Sequence, residues 1–204
     1  MNIVPISVEP MWVIPTEESV LEFIGQVAGE CYNSSMDYDR CKTRALNCIK
    51  RGHHSPWEHY NLTLKSIVDR GTSHALVRHR HCAFQQSSTI YQSYRNGISI
   101  VDTPGMDEFE RACYANTEYT YLKLLEKGKT PAQARDVLPT ALATGLIITT
   151  NIREWMYILH RRDCSSGGEA PRMAEWNKQL RSFFTNTYPL ITGAFDEWYE
   201  KHPL

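Results

Sequence analysis

Apolar positions recur with helical spacing along most of this chain, and alternate with polar ones in one short stretch. Val20, Phe23, Ile24 and Val27 form one stripe, and Thr16-Glu17-Glu18 caps it, which predicts a helix through about Cys31. Asp37 or Asp39 opens a second helix, with Cys41, Ala45, Cys48 and Ile49 inward and Gly52 at its close. From Tyr60 to Val68 the pattern changes. Tyr60, Leu62 and Leu64 alternate with Asn61, Thr63 and Lys65, the period of a half-buried strand. Asp69-Arg70-Gly71-Thr72 turns the chain into a helix from near Ser73, and Ile98–Val101 is a further strand. Asp107 starts a long helix to about Lys127, with Phe109, Cys113, Tyr121 and Leu125 as apolar positions and Gly128 as its stop. Thr130-Pro131 opens a short helix carrying Ala134, Arg135 and Val137. Gly145 to Thr150 reads as a β-prone run, with helix as the alternative. Asn151 then begins a helix with Trp155, Ile158 and Leu159 inward and Arg161 and Arg162 at its end. Ser165-Ser166-Gly167-Gly168 reads as a mobile loop. The last helix spans about Ala170 to Tyr188, with Met173, Trp176, Leu180 and Phe184 facing the core or another subunit. Residues 2–14, with Val, Ile and Trp between prolines, suit an edge strand.

Bulk properties narrow the class. The 204 residues, 42% hydrophobic and without repeats or low-complexity linkers, predict a single domain over 1–204. A formal net charge of −1 gives no support to coating a nucleic-acid polymer. No cationic leader precedes a long apolar core, and no run approaches a membrane span, so a cytoplasmic protein is expected. Six cysteines without a Cys-x-x-Cys pair read as reduced thiols.

The chemistry gathers in Arg78–Tyr94, where Arg78, His79 and Arg80 precede a polar run ending in Ser87, Ser88 and Thr89. If helical, Arg78 and Arg80 point to nearly opposite sides. Arginine suits phosphate because its planar fork donates two parallel hydrogen bonds; a solvated basic turn fits the same residues. In Gly52-His53-His54-Ser55-Pro56-Trp57-Glu58-His59, a helix ends and another starts, a natural place for an anion. The histidine spacing is not a zinc pattern, so no metal is expected. Cys82, beside Arg78 and His81, would carry a lowered pKa if it were a nucleophile, but no local signature marks it. Arg78, Arg80, Arg135, Arg153 and Arg162 stand at helix ends. That distribution suits a ligand with several phosphates, or two phosphorylated ligands, and equally suits surface ion pairs.

Four segments together resemble the flavin-dependent thymidylate synthase family. Arg78-His79-Arg80, seven residues, then Ser88 is similar to its signature; Gly52–His59, Ala134-Arg135-Asp136-Val137-Leu138-Pro139, and Asn151-x-Arg153 with Arg162 follow in family order. The resemblance implies an α/β (α+β) fold with a central mixed or antiparallel sheet flanked by helices, and a homotetramer with active sites between subunits. It implies FAD as cofactor, with NADPH and methylenetetrahydrofolate as co-substrates and dUMP as the nucleotide methylated to dTMP. His53, Ser55, Arg78, His79, Arg80, Gln86, Asn151, Arg153 and Tyr157 would meet FAD. Gln86, Ser88, Thr89, Arg135 and Arg162 would meet the nucleotide, with Arg162 and Ser88 catalytic. The chain departs from the family at several positions. Ile90 stands where the family has arginine, Gln85-Gln86-Ser87 lack its acidic residue, Ala75 replaces Gln or Glu, and Gly167–Arg172 keeps only the arginine of its late motif. These departures motivate two alternatives. One is C5 methylation or hydroxymethylation of another pyrimidine nucleotide (UMP, dUMP or dCMP); the other is a non-catalytic flavin- or nucleotide-binding role.

Overall fold

Two nine-residue strands, residues 61–69 and 143–151, run antiparallel through the middle of the molecule, from Asn61 opposite Asn151 to Asp69 opposite Ala143. A computed structural model describes residues 1–32, 37–163 and 170–204. In chain order its elements are β1 (Asn2–Val4), β2 (Ser7–Pro10), α1 (Glu17–Gly29), α2 (Tyr38–Lys50), β3 (Asn61–Asp69), α3 (Arg70–Leu76), β4 (Ala83–Gln86), β5 (Ser99–Val101), α4 (Glu108–Glu126), α5 (Pro131–Ala134), β6 (Ala143–Asn151), α6 (Ile152–Arg161), α7 (Pro171–Thr187) and α8 (Pro189–Lys201). The main sheet is antiparallel, in the order β2-β3-β6-β4, and β1 and β5 form a separate parallel pair. The expected sheet flanked by helices is therefore present. The loop predicted at residues 165–168 and the motif from 167 to 169 lie outside the described residues.

Local signals placed most boundaries. Thr16, Asp37, Asp69, Asp107, Thr130 and Asn151 each accept a backbone N–H of the helix they open. Such caps contribute about 1 kcal/mol apiece. Gly52 takes φ +73 at the end of α2, and a Cβ there would sit 2.6 Å from the Trp198 ring, so only glycine fits.

Four expectations are corrected. Residues 2–14 form two strands in two sheets, because Pro5 cannot donate to a ladder and the chain crosses over there. The run from Arg78 is not helical: α3 stops at Leu76, and Ala83–Gln86 pairs with β6 as an edge strand. On α4 only Tyr121 and Leu125 are buried; Phe109 is 75% exposed and Cys113 also faces out. Finally the chain restarts at Pro189 as α8, which buries Ile191, Ala194 and Phe195.

The main core lies between the sheet and α1, α2, α6, α7 and α8, and a smaller one lies around Tyr94, Ile100, Tyr121 and Leu142. Trp155 and Trp176 fix the helices to the sheet through more than packing. Trp155 Nε1 donates to the Leu62 carbonyl at 3.1 Å, and Trp176 Nε1 to Ser66 Oγ at 3.0 Å. Both Trp176 and Ser66 are fully buried. Trp176→Phe is expected to cost about 2–3 kcal/mol through the lost hydrogen bond and the residual void. Trp12, 63% exposed, should tolerate the same change within about 0.5 kcal/mol. Urea denaturation of the two variants measures both.

Candidate active site

β6 passes directly into α6 at Asn151, whose extended backbone (φ −80, ψ 165) and side-chain oxygen, accepting from Glu154 N at 2.9 Å, start the helix. Opposite it, residues 77–82 leave α3 as a tight turn. His79 N bonds to Leu76 O at 3.1 Å, and Thr150 Oγ1 donates to His81 O at 2.7 Å, fastening the turn to the end of β6. Turn, α6 and the end of α8 enclose a cleft of about 910 Å3, lined by Arg78, His79, Arg80, His81, Asn151, Arg153, Glu154, Tyr157, Arg161, Arg162, Trp198 and Tyr199 among others. Cavities of roughly 300–1,000 Å3 hold small ligands.

The cleft is strongly cationic. Five arginines face it against Glu58 and Glu154. Arg153 pairs with Glu58, and both are about half exposed. An exposed pair of this kind is worth at most about 1 kcal/mol. Among the described residues Arg78, Arg80 and Arg161 have no carboxylate partner. Arg162 is held more firmly: its Nε donates to His79 Nε2 at 3.2 Å and its Nη2 to the Ala75 carbonyl at 3.0 Å.

His79 is 8% exposed, and burial, followed by the nearby Arg162 and Arg161 charges, brings its pKa down to about 4. Its Nδ1 lies 3.6 Å from Glu154 Oε1. That contact would be an ion pair if the ring were charged; the arginine donor on Nε2 and the burial make it a neutral contact. Burial also raises the Glu154 carboxyl above its usual value. A consequence for stability follows. Unfolded His79 titrates near 6.5 and folded His79 near 4, so its contribution is complete above about pH 6.5 and is lost as pH falls toward 4. The amount is about 3 kcal/mol. Urea titrations at pH 7.5 and 4.5 should show that difference shrinking in His79→Gln, where the change cancels the Glu154 contribution common to both proteins.

Other expected site residues lie elsewhere. His53 and Ser55 line a second cleft of about 900 Å3 between α1 and α2, together with Arg40, Arg44 and Arg51. The two clefts share no residue. Gly52 and His54 face the first, His53 and Ser55 the second. His54 itself packs on Phe195 and Trp198.

Gln86, Ser88, Thr89 and Arg135 line neither cleft: Gln86 ends β4, Ser88 and Thr89 follow it in the chain, and Arg135 follows α5. Gln86 Nε2 donates to Ser73 Oγ at 2.8 Å and to Thr144 Oγ1 at 3.4 Å. Ser88 Oγ accepts from Ile90 N and Tyr91 N at 3.1 and 3.3 Å, which leaves its own proton free to donate. Thr89 is buried, and Arg135 is half-buried without an ion-pair partner among the described residues. Ile90 is 45% and Tyr91 is 91% exposed.

Cys82 is corrected. Burial pushes its thiol up to about 11, so it is no activated nucleophile. Residues not expected from the sequence are Glu58, Glu154, Trp198 and Tyr199. Glu58 and Glu154 stand inside the quoted segments; Trp198 and Tyr199 lie on α8, which the sequence reading missed. Arg172 is half-buried with Nη2 on the Val101 carbonyl at 3.3 Å.

Comparison with known proteins gives a consistent picture. The family model described as thymidylate synthase complementing protein matches residues 14–177. A probable flavin-dependent thymidylate synthase of Paramecium bursaria Chlorella virus 1 is 27% identical over 169 residues, covering 73% of this chain and 77% of that protein. The flavin-dependent thymidylate synthase of Geobacter sulfurreducens is 30% identical over 152 residues, covering 70% of this chain; the match spans 61% of that protein's length. The crystal structure of the UMP/dUMP methylase PolB from Streptomyces cacaoi, bound with 5-Br dUMP, superposes with a TM-score of 0.73 at 22% identity over 97% of both chains; with 5-Br UMP the TM-score is 0.74 at 18% identity. At that identity the likeness establishes the shared fold.

Proposed function

Because the chain belongs to the thymidylate synthase complementing protein family, we propose that it is a flavin-dependent pyrimidine-nucleotide methylase converting dUMP to dTMP, with methylenetetrahydrofolate and NADPH as co-substrates. The observation that carries this reading is the cleft with five arginines, three of them without a carboxylate partner among the described residues. A flavin dinucleotide brings two phosphates, and guanidinium forks that no protein anion occupies suit them. Arg78, Arg80 and Arg153 would hold the diphosphate. Exchanging Glu58 for a phosphate costs Arg153 little, given the exposure of that pair. Asn151 and Tyr157 would border the ring system.

When bound, reduced flavin supplies hydride, which no side chain can. The chain's own residues would bind and orient. Arg162, held on two sides, would place a fixed positive charge against the pyrimidine carbonyl, where negative charge grows as C5 becomes nucleophilic. Ser88, with its hydroxyl proton free, and Arg135 would fix the nucleotide, with Thr89 and Gln86 behind them. No thiol is needed, in keeping with the high Cys82 value.

His53 and Ser55 face a cleft of their own, which shares no residue with the arginine cleft. A ligand meeting both clefts would be shared between copies of the chain, which supports the proposed homotetramer with intersubunit sites. Among the described residues no helix is long and apolar enough to cross a membrane; we place the enzyme in the cytoplasm.

A second reading, C5 methylation or hydroxymethylation of UMP or dCMP, is favoured by Ile90. An exposed apolar side chain stands where the family's arginine would hold a phosphate, a loss of roughly 1.5–3 kcal/mol for a charged hydrogen bond. PolB, one of the solved structures with this fold, is a UMP/dUMP methylase. The third reading, a non-catalytic binder, rests on the late loop, whose residues 165–169 lie outside the described residues. Titration of apoprotein with FAD tests the cleft itself. Arg80→Ala is expected to weaken FAD binding about tenfold, as suits loss of one charge-assisted hydrogen bond worth about 1.5 kcal/mol. Unchanged affinity in Arg78→Ala/Arg80→Ala would remove the flavin from this cleft.

A further inference from the structure

We propose that His79 is a positioning residue: as the middle member of a Glu154–His79–Arg162 chain it fixes the Arg162 guanidinium, and its ring donates nothing to the ligand. This deepens the methylase reading and rests on it. Glu154 and Arg162 belong to one face of α6 and its cap, eight residues and two turns apart. The imidazole, carried by the turn after α3, lies between them: Nδ1 is 3.6 Å from Glu154 Oε1, Nε2 is 3.2 Å from Arg162 Nε, and the Tyr157 ring meets it edge-on at 6.0 Å. Both ring nitrogens therefore face protein groups.

Arg162 Nε carries a proton that it cannot lose, so Nε2 must be the acceptor and the ring proton must sit on Nδ1. One tautomer is selected, and its Nδ1–H points toward the one carboxylate of this chain of groups. Protonation of Nε2 would remove the acceptor and set two cations against each other. Burial and the Arg162 and Arg161 charges oppose a proton on Nε2; Glu154 is the one facing group that favours a charged ring, and Arg78, Arg80 and His81 line the same cleft from its own turn. The second support of Arg162, the Ala75 carbonyl, leaves its guanidinium one fewer way to rotate. An arginine pinned at Nε and one Nη holds its positive charge in a fixed place and direction, which is what stabilising charge on a pyrimidine carbonyl demands.

The sequence resemblance cast His79 as a flavin ligand; the two roles predict different kinetics. The test compares FAD-loaded wild type with His79→Gln, which keeps an acceptor near the Nε2 position, and with His79→Phe, which keeps ring bulk and no acceptor. The expected result is a roughly hundredfold fall in kcat for His79→Phe, with KM for the nucleotide and affinity for FAD changed less than threefold, and kcat within tenfold of wild type for His79→Gln. Equal losses of FAD affinity in both variants, with normal kcat once flavin is saturating, would overturn the proposal and make His79 a flavin ligand. Imidazole nitrogen NMR of the wild type, with His79 assigned from the His79→Gln spectrum, needs no turnover. At pH 7 the proposal requires a bare Nε2 and a protonated Nδ1. A proton on Nε2 refutes it whatever the activity. No turnover with any pyrimidine nucleotide alongside the required tautomer would instead sink the methylase reading alone.

Discussion

Arg162→Ala is expected to lower turnover about 10²–10³-fold while FAD remains bound within a few-fold of its normal affinity. The magnitude is that of removing one preorganised donor from the place where negative charge develops. Flavin survives the change because Arg78, Arg80, Arg153 and Arg161 stay in the cleft. Arg162→Lys should restore less than a tenth of the lost rate. A lysine keeps the charge but cannot donate at once to His79 Nε2 and the Ala75 carbonyl, so its ammonium would not be held in direction. Single-turnover measurement on pre-reduced flavin enzyme separates chemistry from binding. A fall in FAD affinity that accounts for the whole loss would show Arg162 to be a cofactor clamp.

The largest expected effect on stability lies far from any charge. A Cβ on Gly25 would stand 2.3 Å from the Cα and carbonyl oxygen of Cys41, closer than real Cβ atoms come to other atoms. Both are backbone atoms, so no rotamer change relieves the clash. α1 and α2 would have to separate. Overpacking usually costs 1–3 kcal/mol, and a backbone clash belongs at or above the upper end. Alanine's better helix propensity returns only about 1 kcal/mol. Gly25→Ala is therefore expected to destabilise the protein by at least ~3 kcal/mol, a fall in Tm of roughly 6–12 °C. The internal control is Gly193→Ala in α8, where nothing stands within 4 Å of the new Cβ. There the same substitution should stabilise by about 0.5–1 kcal/mol. Because α1 and α2 also wall the cleft of His53 and Ser55, Gly25→Ala should weaken FAD binding in parallel with stability. Calorimetry and flavin titration on both variants test this pair of effects.

How much of this was legible in the sequence depends on the range of the interaction. Helix starts at Thr16, Asp37, Asp107, Thr130 and Asn151 were readable because a cap joins residues three apart. β3 announced itself by alternation, and β6 as a β-prone run. β4 did not: Ala83-Phe84-Gln85-Gln86 has no strong propensity and is a strand because β6 offers it an edge. α8 is absent from the sequence-based expectation, which ends the last helix at Tyr188, although Ile191, Ala194 and Phe195 recur at helical spacing. At the site, the family motifs contain four of the five arginines that line the cleft; Arg161 stands outside them. The pairing of His79 with Arg162 spans 83 residues and leaves no spacing to read. The reversal at Cys82 has the same origin. Neighbouring cations in sequence suggested a lowered pKa, and burial, which only the fold supplies, raised it instead.

One measurement bears on the central claim most directly. Purified protein is incubated with FAD, NADPH, methylenetetrahydrofolate and, in separate reactions, dUMP, UMP and dCMP, and the nucleotides are then analysed by mass spectrometry. The account predicts FAD-dependent addition of one methyl group at C5 of dUMP, slowed about 10²–10³-fold in Arg162→Ala. Protein that holds FAD tightly and returns all three nucleotides unmodified would contradict it.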